Sequence, residues 1–189
     1  MEIILASTLV VALAEIGDKT MLLAILLAAR FRAPVPIIAG ILVATLANHA
    51  LAAWAGAAIA GLLDGWWFRL AVAIGFLAMA AWTLVPDTLE EDEGAQKAPR
   101  GGAFLATALS FFLVEIGDKT QVATVALGAR YQAVALVAAG TTLGMMLVNA
   151  PAVLVGDRLT RIVPLAYVRA AAAAIFAVIG IAMLVALLR

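Results

Sequence analysis

Long apolar runs fill this chain almost end to end, and they restrict the solvent in which it can fold. Residues 3–29, 35–63, 67–85, 103–129, 133–155 and 165–188 form six such runs, and a helix needs about 20 predominantly apolar residues to cross a bilayer. Hydrophobic residues make up 66% of the chain and charged ones 13%, too few to coat a water-soluble domain. The runs are continuous and rich in Ala and Leu, whereas the strands of a membrane barrel alternate apolar and polar residues. The expectation is an all-α polytopic membrane protein with six transmembrane helices. No Lys or Arg precedes the first run, which continues to Arg30, far past the apolar core of about 7 to 15 residues in a signal peptide. It is expected to remain in the mature protein.

Several function classes drop out at once. The chain has no cysteine, which removes disulfides, thiolate metal ligation and thiol catalysis together. His49 is the single imidazole, so a multi-histidine zinc or iron site is excluded. The formal net charge is zero and no nucleic-acid motif is present, which argues against a polyanionic partner.

Against that apolar background, the hexapeptide Glu-Ile-Gly-Asp-Lys-Thr occurs twice, at residues 15–20 and 115–120, each time in the middle of a run. An ionisable side chain at the centre of a membrane helix costs roughly 2.5 to 3.5 kcal/mol on insertion scales, so such groups mark function by default. Sliding the chain against itself by one hundred residues also superposes Leu5, Ala6, Leu9 and Leu13 on Leu105, Ala106, Leu109 and Leu113, and Arg30 and Gly40 on Arg130 and Gly140. This is an internal duplication. Three runs per half is an odd number, so the second half enters the membrane from the opposite side, giving two inverted three-helix repeats: residues 1–86 and 103–189, joined by a linker at 87–102. Folds of this kind place the substrate near the midplane at the repeat interface, often where helices are interrupted.

Loops after the first, third and fifth runs hold Arg30, Arg32, Lys97, Arg100, Arg158, Arg161 and Arg169, against Arg69, Arg130 and Arg189 on the other side. The positive-inside rule then puts both termini outside and the linker in the cytoplasm. The linker carries the acidic stretch Glu90, Glu91, Asp92 and Glu93, which reads as a solvated segment or as a funnel concentrating cations at the cytoplasmic mouth.

On a continuous helix Glu15, Asp18 and Lys19 crowd one face, as do Glu115, Asp118 and Lys119. Gly17 and Gly117 weaken each helix by about 1 kcal/mol relative to Ala, so a kink or local unwinding is expected there, with freed carbonyls beside the hydroxyls of Thr20 and Thr120. Four carboxylates and two ammonium groups sum to minus two, the complement of one divalent cation. Such oxygen donors suit Mg, Ca or Mn rather than softer ions. Once the cation leaves, crowded carboxylates repel one another and protons are the natural replacement. One site that holds either a divalent cation or protons is the minimal chemistry of an antiporter; a monomer suffices for it, and no cofactor is needed. The bland alternative makes Glu15 with Lys19, and Glu115 with Lys119, internal ion pairs that hold helices together, although desolvating such pairs is seldom stabilising. The two lysines either take part in transport, orient the acids, or snorkel to the interface.

Supporting polar positions are Asn48 and His49 in the second run, Asn149 in the fifth, and Gln121, which follows the second motif where Met21 follows the first. The asparagines read equally as helix glue and as ligand support. His49 reads as a satisfied core histidine or a proton relay, with no counterpart in the second half, and Gln121 biases coordination towards the fourth run. Gly140 and Gly144 form a G-x-x-x-G packing pattern. Trp54, Trp66, Trp67 and Trp82 read as interfacial anchors.

Two E-x-G-D-[KR]-[ST] motifs, each in the first span of a three-span repeat with an acidic loop between, resemble the family of bacterial manganese exporters and Golgi manganese/calcium:proton exchangers. The resemblance covers essentially the whole chain. It implies six or seven helices, export of Mn2+ or Ca2+ from the cytoplasm and proton counter-transport, without enzymatic activity. The family's acidic ligands fall on Glu15, Asp18, Glu115 and Asp118, with Lys19, Thr20, Lys119 and Thr120 completing the motifs. The short loop looks bacterial, which implies an inner-membrane location and favours manganese. A divalent-cation channel and an exporter of a small cationic or amino solute remain as alternatives. An intramembrane aspartyl protease does not fit, because Glu15 and Glu115 occupy the first glycine position of its G-x-G-D signature.

Overall fold

A computed structural model describes residues 1–62, 65–85, 102–156 and 165–188. Among these, all regular structure is helical: α1 (Glu2–Glu15), α2 (Lys19–Phe31), α3 (Pro34–Leu62), α4 (Trp66–Thr83), α5 (Gly102–Val114), α6 (Lys119–Tyr131), α7 (Val134–Val155) and α8 (Leu165–Leu187). The acidic stretch of the linker, together with Arg158, Arg161 and Arg189, lies outside the described residues.

The first and fourth apolar runs each resolve into two short helices rather than one span. Among the described residues, four helices are individually long and apolar enough to cross a membrane, at Pro34–Gly61, Trp66–Thr83, Val134–Val155 and Ala166–Leu187. Helices α1, α2, α5 and α6 have only 13 or 14 residues each. At about 1.5 Å per residue, α1 and α2 together reach roughly 40 Å against a hydrocarbon core of about 30 Å. Helix α1 does not pack along α2, nor α5 along α6. Each pair is therefore one interrupted segment, not a hairpin, with its break near the middle.

The two halves exchange contacts reciprocally. Helix α1 packs on α7 of the other half, and α5 packs on α3. Small residues make both approaches possible: a Cβ on Gly140 would fall 2.8 Å from the Ile4 carbonyl oxygen, and one on Gly40 would fall 2.8 Å from that of Phe104. Gly144 meets Thr8 and Ala12 in the same way, so the G-x-x-x-G pattern is a packing surface for α1. Helices α3 and α7 pack on each other, as do α4 and α8. Phe76 and Phe176, equivalent under the hundred-residue offset, meet with ring centroids 6.3 Å apart.

Two apolar clusters hold this arrangement. One joins Met21, Leu27, Ile41, Phe111 and Val148; the other joins Val10, Phe76, Leu127, Val137 and Phe176. Leu5, Leu9, Leu109, Leu113, Leu147 and Leu154 point outward. So wide an apolar exterior would drive aggregation in water; it matches lipid instead.

Candidate cation site

The site begins with a backbone event repeated a hundred residues apart. Gly17 adopts φ +82° and Gly117 φ +81°, a left-handed conformation that costs an L-residue roughly 1 to 2 kcal/mol. A Cβ on Gly117 would meet nothing within 4 Å, so the torsion rather than crowding calls for glycine there. Across each glycine the chain closes a turn, with Asp18 N–H donating to the Glu15 carbonyl at 3.0 Å and Asp118 N–H to that of Glu115 at 3.1 Å. Asp18 and Asp118 are extended, and each stands at the N-cap of the helix that follows.

This geometry corrects the expectation that Glu15, Asp18 and Lys19 share one continuous helical face, because the positive φ turns the chain out of the helix between the acids. It leaves the terminal carbonyls of α1 and α5, and the first N–H groups of α2 and α6, without intrahelical partners. Helix C-termini attract cations and N-termini favour carboxylates, the arrangement interrupted helices use to hold ions.

The acids are withdrawn from the surface. Glu15 and Glu115 have no accessible area, Asp18 and Asp118 are 3% exposed, and Thr20, Thr120, His49 and Asn149 are fully buried. The two motifs meet, since Lys19 of the first stands 3.6 Å from Asp118 of the second. The Thr20 hydroxyl donates back across its break to Glu15 Oε1. Thr120 lies 3.2 Å from both Glu115 Oε2 and Asp118 Oδ2.

Several contacts cross between the halves. Asn149 Nδ2 donates to Glu15 Oε1 at 2.8 Å, and His49 Nε2 stands 3.8 Å from Glu115 Oε2. The offset of one hundred maps His49 onto Asn149, so the imidazole and the amide hold equivalent places. This corrects the expectation that His49 has no counterpart in the second half; the strict offset of one hundred finds it. Asn48 donates to the Phe112 carbonyl at 2.9 Å and thereby ties α3 to α5.

The lysines reach beyond their own motifs. Lys19 Nζ reaches Asp118 Oδ1 of the opposite half at 3.6 Å. Lys119 Nζ donates to the Val85 carbonyl at 2.9 Å and sits over the Trp82 ring, so Trp82 holds a motif lysine beyond any role as an interfacial anchor. Lys119 also lines a small cleft with Ala14, Gly17, Asp18, Thr83 and Arg169. Gln121 Oε1 accepts the Gly117 backbone N–H at 2.7 Å, which makes it a clamp on the break.

Several buried polar atoms in this cluster have no hydrogen-bond partner: Glu15 Oε2, Glu115 Oε1, Asn149 Oδ1 and both ring nitrogens of His49. Among the described residues, no three Asp, Glu or His side chains already converge as a metal-binding group.

The family described as divalent cation/proton antiporter GDT1 matches residues 3–91 and 103–189, nearly the whole chain and both interrupted segments. The chain belongs to this family. Its members are transporters rather than enzymes. A Vibrio cholerae protein bearing the name "Putative manganese exporter" is 48% identical over 183 residues, covering 96% of this chain and 90% of that one. No solved structure matches significantly.

Proposed function

We propose that this protein exports Mn2+ from the cytoplasm in exchange for protons, with Glu15, Asp18, Glu115 and Asp118 as the acidic ligands and Ca2+ as the competing cargo. The observation that carries this reading is the set of buried oxygens without partners, Glu15 Oε2, Glu115 Oε1 and Asn149 Oδ1, gathered where two interrupted helices meet. A buried polar atom with no partner costs about 1 to 3 kcal/mol, more when charged. A bound cation removes that cost, and so does a proton on a carboxylate. Thr120 supports the proton half of the cycle: its hydroxyl carries one hydrogen yet faces two carboxylate oxygens, and a proton on either acid completes the second bond.

The scaffold reading is six spans arranged as two inverted repeats in a bacterial inner membrane, with both termini outside. The reciprocal packing of α1 on α7 and α5 on α3 supports the repeat. Arg69 and Arg130, assigned to the outer side by charge bias, line one cleft, which supports giving them a common face. Arg169, assigned to the inner side, lines the cleft that reaches Asp18; this supports cation entry from the cytoplasm. Rocking one repeat against the other would then alternate access. The manganese preference rests on the named relative.

Purified protein in proteoliposomes tests the reading. Mn2+ flux should generate a proton gradient of opposite direction, and an imposed gradient should drive flux. Asp18→Asn and Glu115→Gln should each abolish transport while leaving the protein inserted. Flux indifferent to the proton gradient would instead identify a channel.

A further inference from the structure

His49 is harder to account for than the acids. Its side chain is fully buried on α3, and neither ring nitrogen has a hydrogen-bond partner. A neutral imidazole carries one donor and one acceptor, and burying both without partners costs free energy that apolar packing does not return. Met or Leu would fill the space without that cost. The ring instead directs Nε2 at Glu115 Oε2 from 3.8 Å, too far for a hydrogen bond.

That spacing suits two ligands of one ion. Donors about 2.1 to 2.3 Å from a common metal and separated by 90° to 120° lie about 3.0 to 4.0 Å apart. Resting on the cation-site reading above, we propose that His49 is a nitrogen ligand to the transported ion and the residue that selects transition-metal cations over Ca2+ and Mg2+. Calcium and magnesium take oxygen donors, and Mn2+ accepts them too, but one imidazole among the oxygens favours a first-row transition metal over either of them.

The equivalent position in the other half sharpens the argument. Asn149 spends its N–H on Glu15 and keeps Oδ1 unpartnered. It therefore offers oxygen where His49 offers nitrogen, and discrimination is concentrated on the α3 and α5 side of the site. Thr45, one helical turn before His49, also has a buried hydroxyl with no partner, so no neighbouring donor on that turn fixes the ring against rotating towards an ion.

Electron spin echo spectroscopy of Mn2+ bound to the purified wild-type protein tests the ligand directly. Nitrogen modulation from a coordinated imidazole is expected, and His49→Asn, which copies the other half, should remove it. In proteoliposomes His49→Asn should lower the Mn2+ to Ca2+ transport ratio while Ca2+ flux persists; His49→Gln should do the same. Bound Mn2+ without nitrogen modulation, or an unchanged ratio in both variants, overturns the His49 assignment and leaves the carboxylate site standing. Failure of Mn2+ to bind the wild-type protein overturns both.

Discussion

Asn149 donates a 2.8 Å hydrogen bond to Glu15, a residue 134 positions earlier in the chain. The bond joins α7 of the second half to the helix break of the first, inside a region without water access. It fixes which oxygen of Glu15 stays available, since Oε1 receives both Thr20 and Asn149 while Oε2 receives neither.

Asn149→Leu should lower transport at least tenfold with the protein still inserted. Removing one partner of a buried charged acceptor costs about 1.5 to 3 kcal/mol, and the freed carboxylate loses its orientation. Asn149→His, which copies His49, should retain more activity than the leucine variant. Equal flux of wild type and Asn149→Leu in proteoliposomes would refute the role.

Thr120 serves two acids and Thr20 serves one. Thr120→Val should therefore impair transport more than Thr20→Val, and serine at either position should restore it, because only the hydroxyl matters. Metal tolerance of cells expressing each variant gives the ranking.

Lys19 and Asp118 form an ion pair at 3.6 Å with the lysine side chain 21% exposed. Partly exposed pairs contribute about 1 kcal/mol or less, so Lys19→Gln should leave thermal stability nearly unchanged. Its effect should fall on transport, since it raises the uncompensated negative charge beside the cation. A large drop in melting temperature would show instead that the pair holds the halves together.

Gly17 and Gly117 sit at φ values of +82° and +81°. Asn tolerates that region better than Ala, and β-branched residues tolerate it worst. Activity and stability at each position should therefore rank Gly above Asn above Ala above Val. An alanine variant equal to wild type would show that the break does not need the left-handed torsion.

Gly140→Leu should prevent assembly altogether, because even a Cβ there would fall 2.8 Å from the Ile4 carbonyl oxygen and Ser7 Cβ. Gly61→Leu on the same fold meets open space and should be neutral. Size-exclusion profiles in detergent separate the two outcomes.

The sequence by itself determined the solvent, the helical class, the duplication and the acids at stake. These follow from composition, run length and self-similarity, properties that one-dimensional order carries. It also located the weak point at Gly17 and Gly117, because no other residue adopts their torsion as readily. Tertiary structure decided what the motif residues touch. Spacing along a helix puts Glu15 beside Lys19, yet a positive φ between them sends Lys19 to Asp118 of the other half. The same break turned two expected spans into four short helices. The pairing of His49 with Glu115 and of Asn149 with Glu15 likewise depends on α3 crossing α5 and α7 crossing α1. Contacts across a repeat interface join residues far apart in the chain, and no local periodicity encodes them.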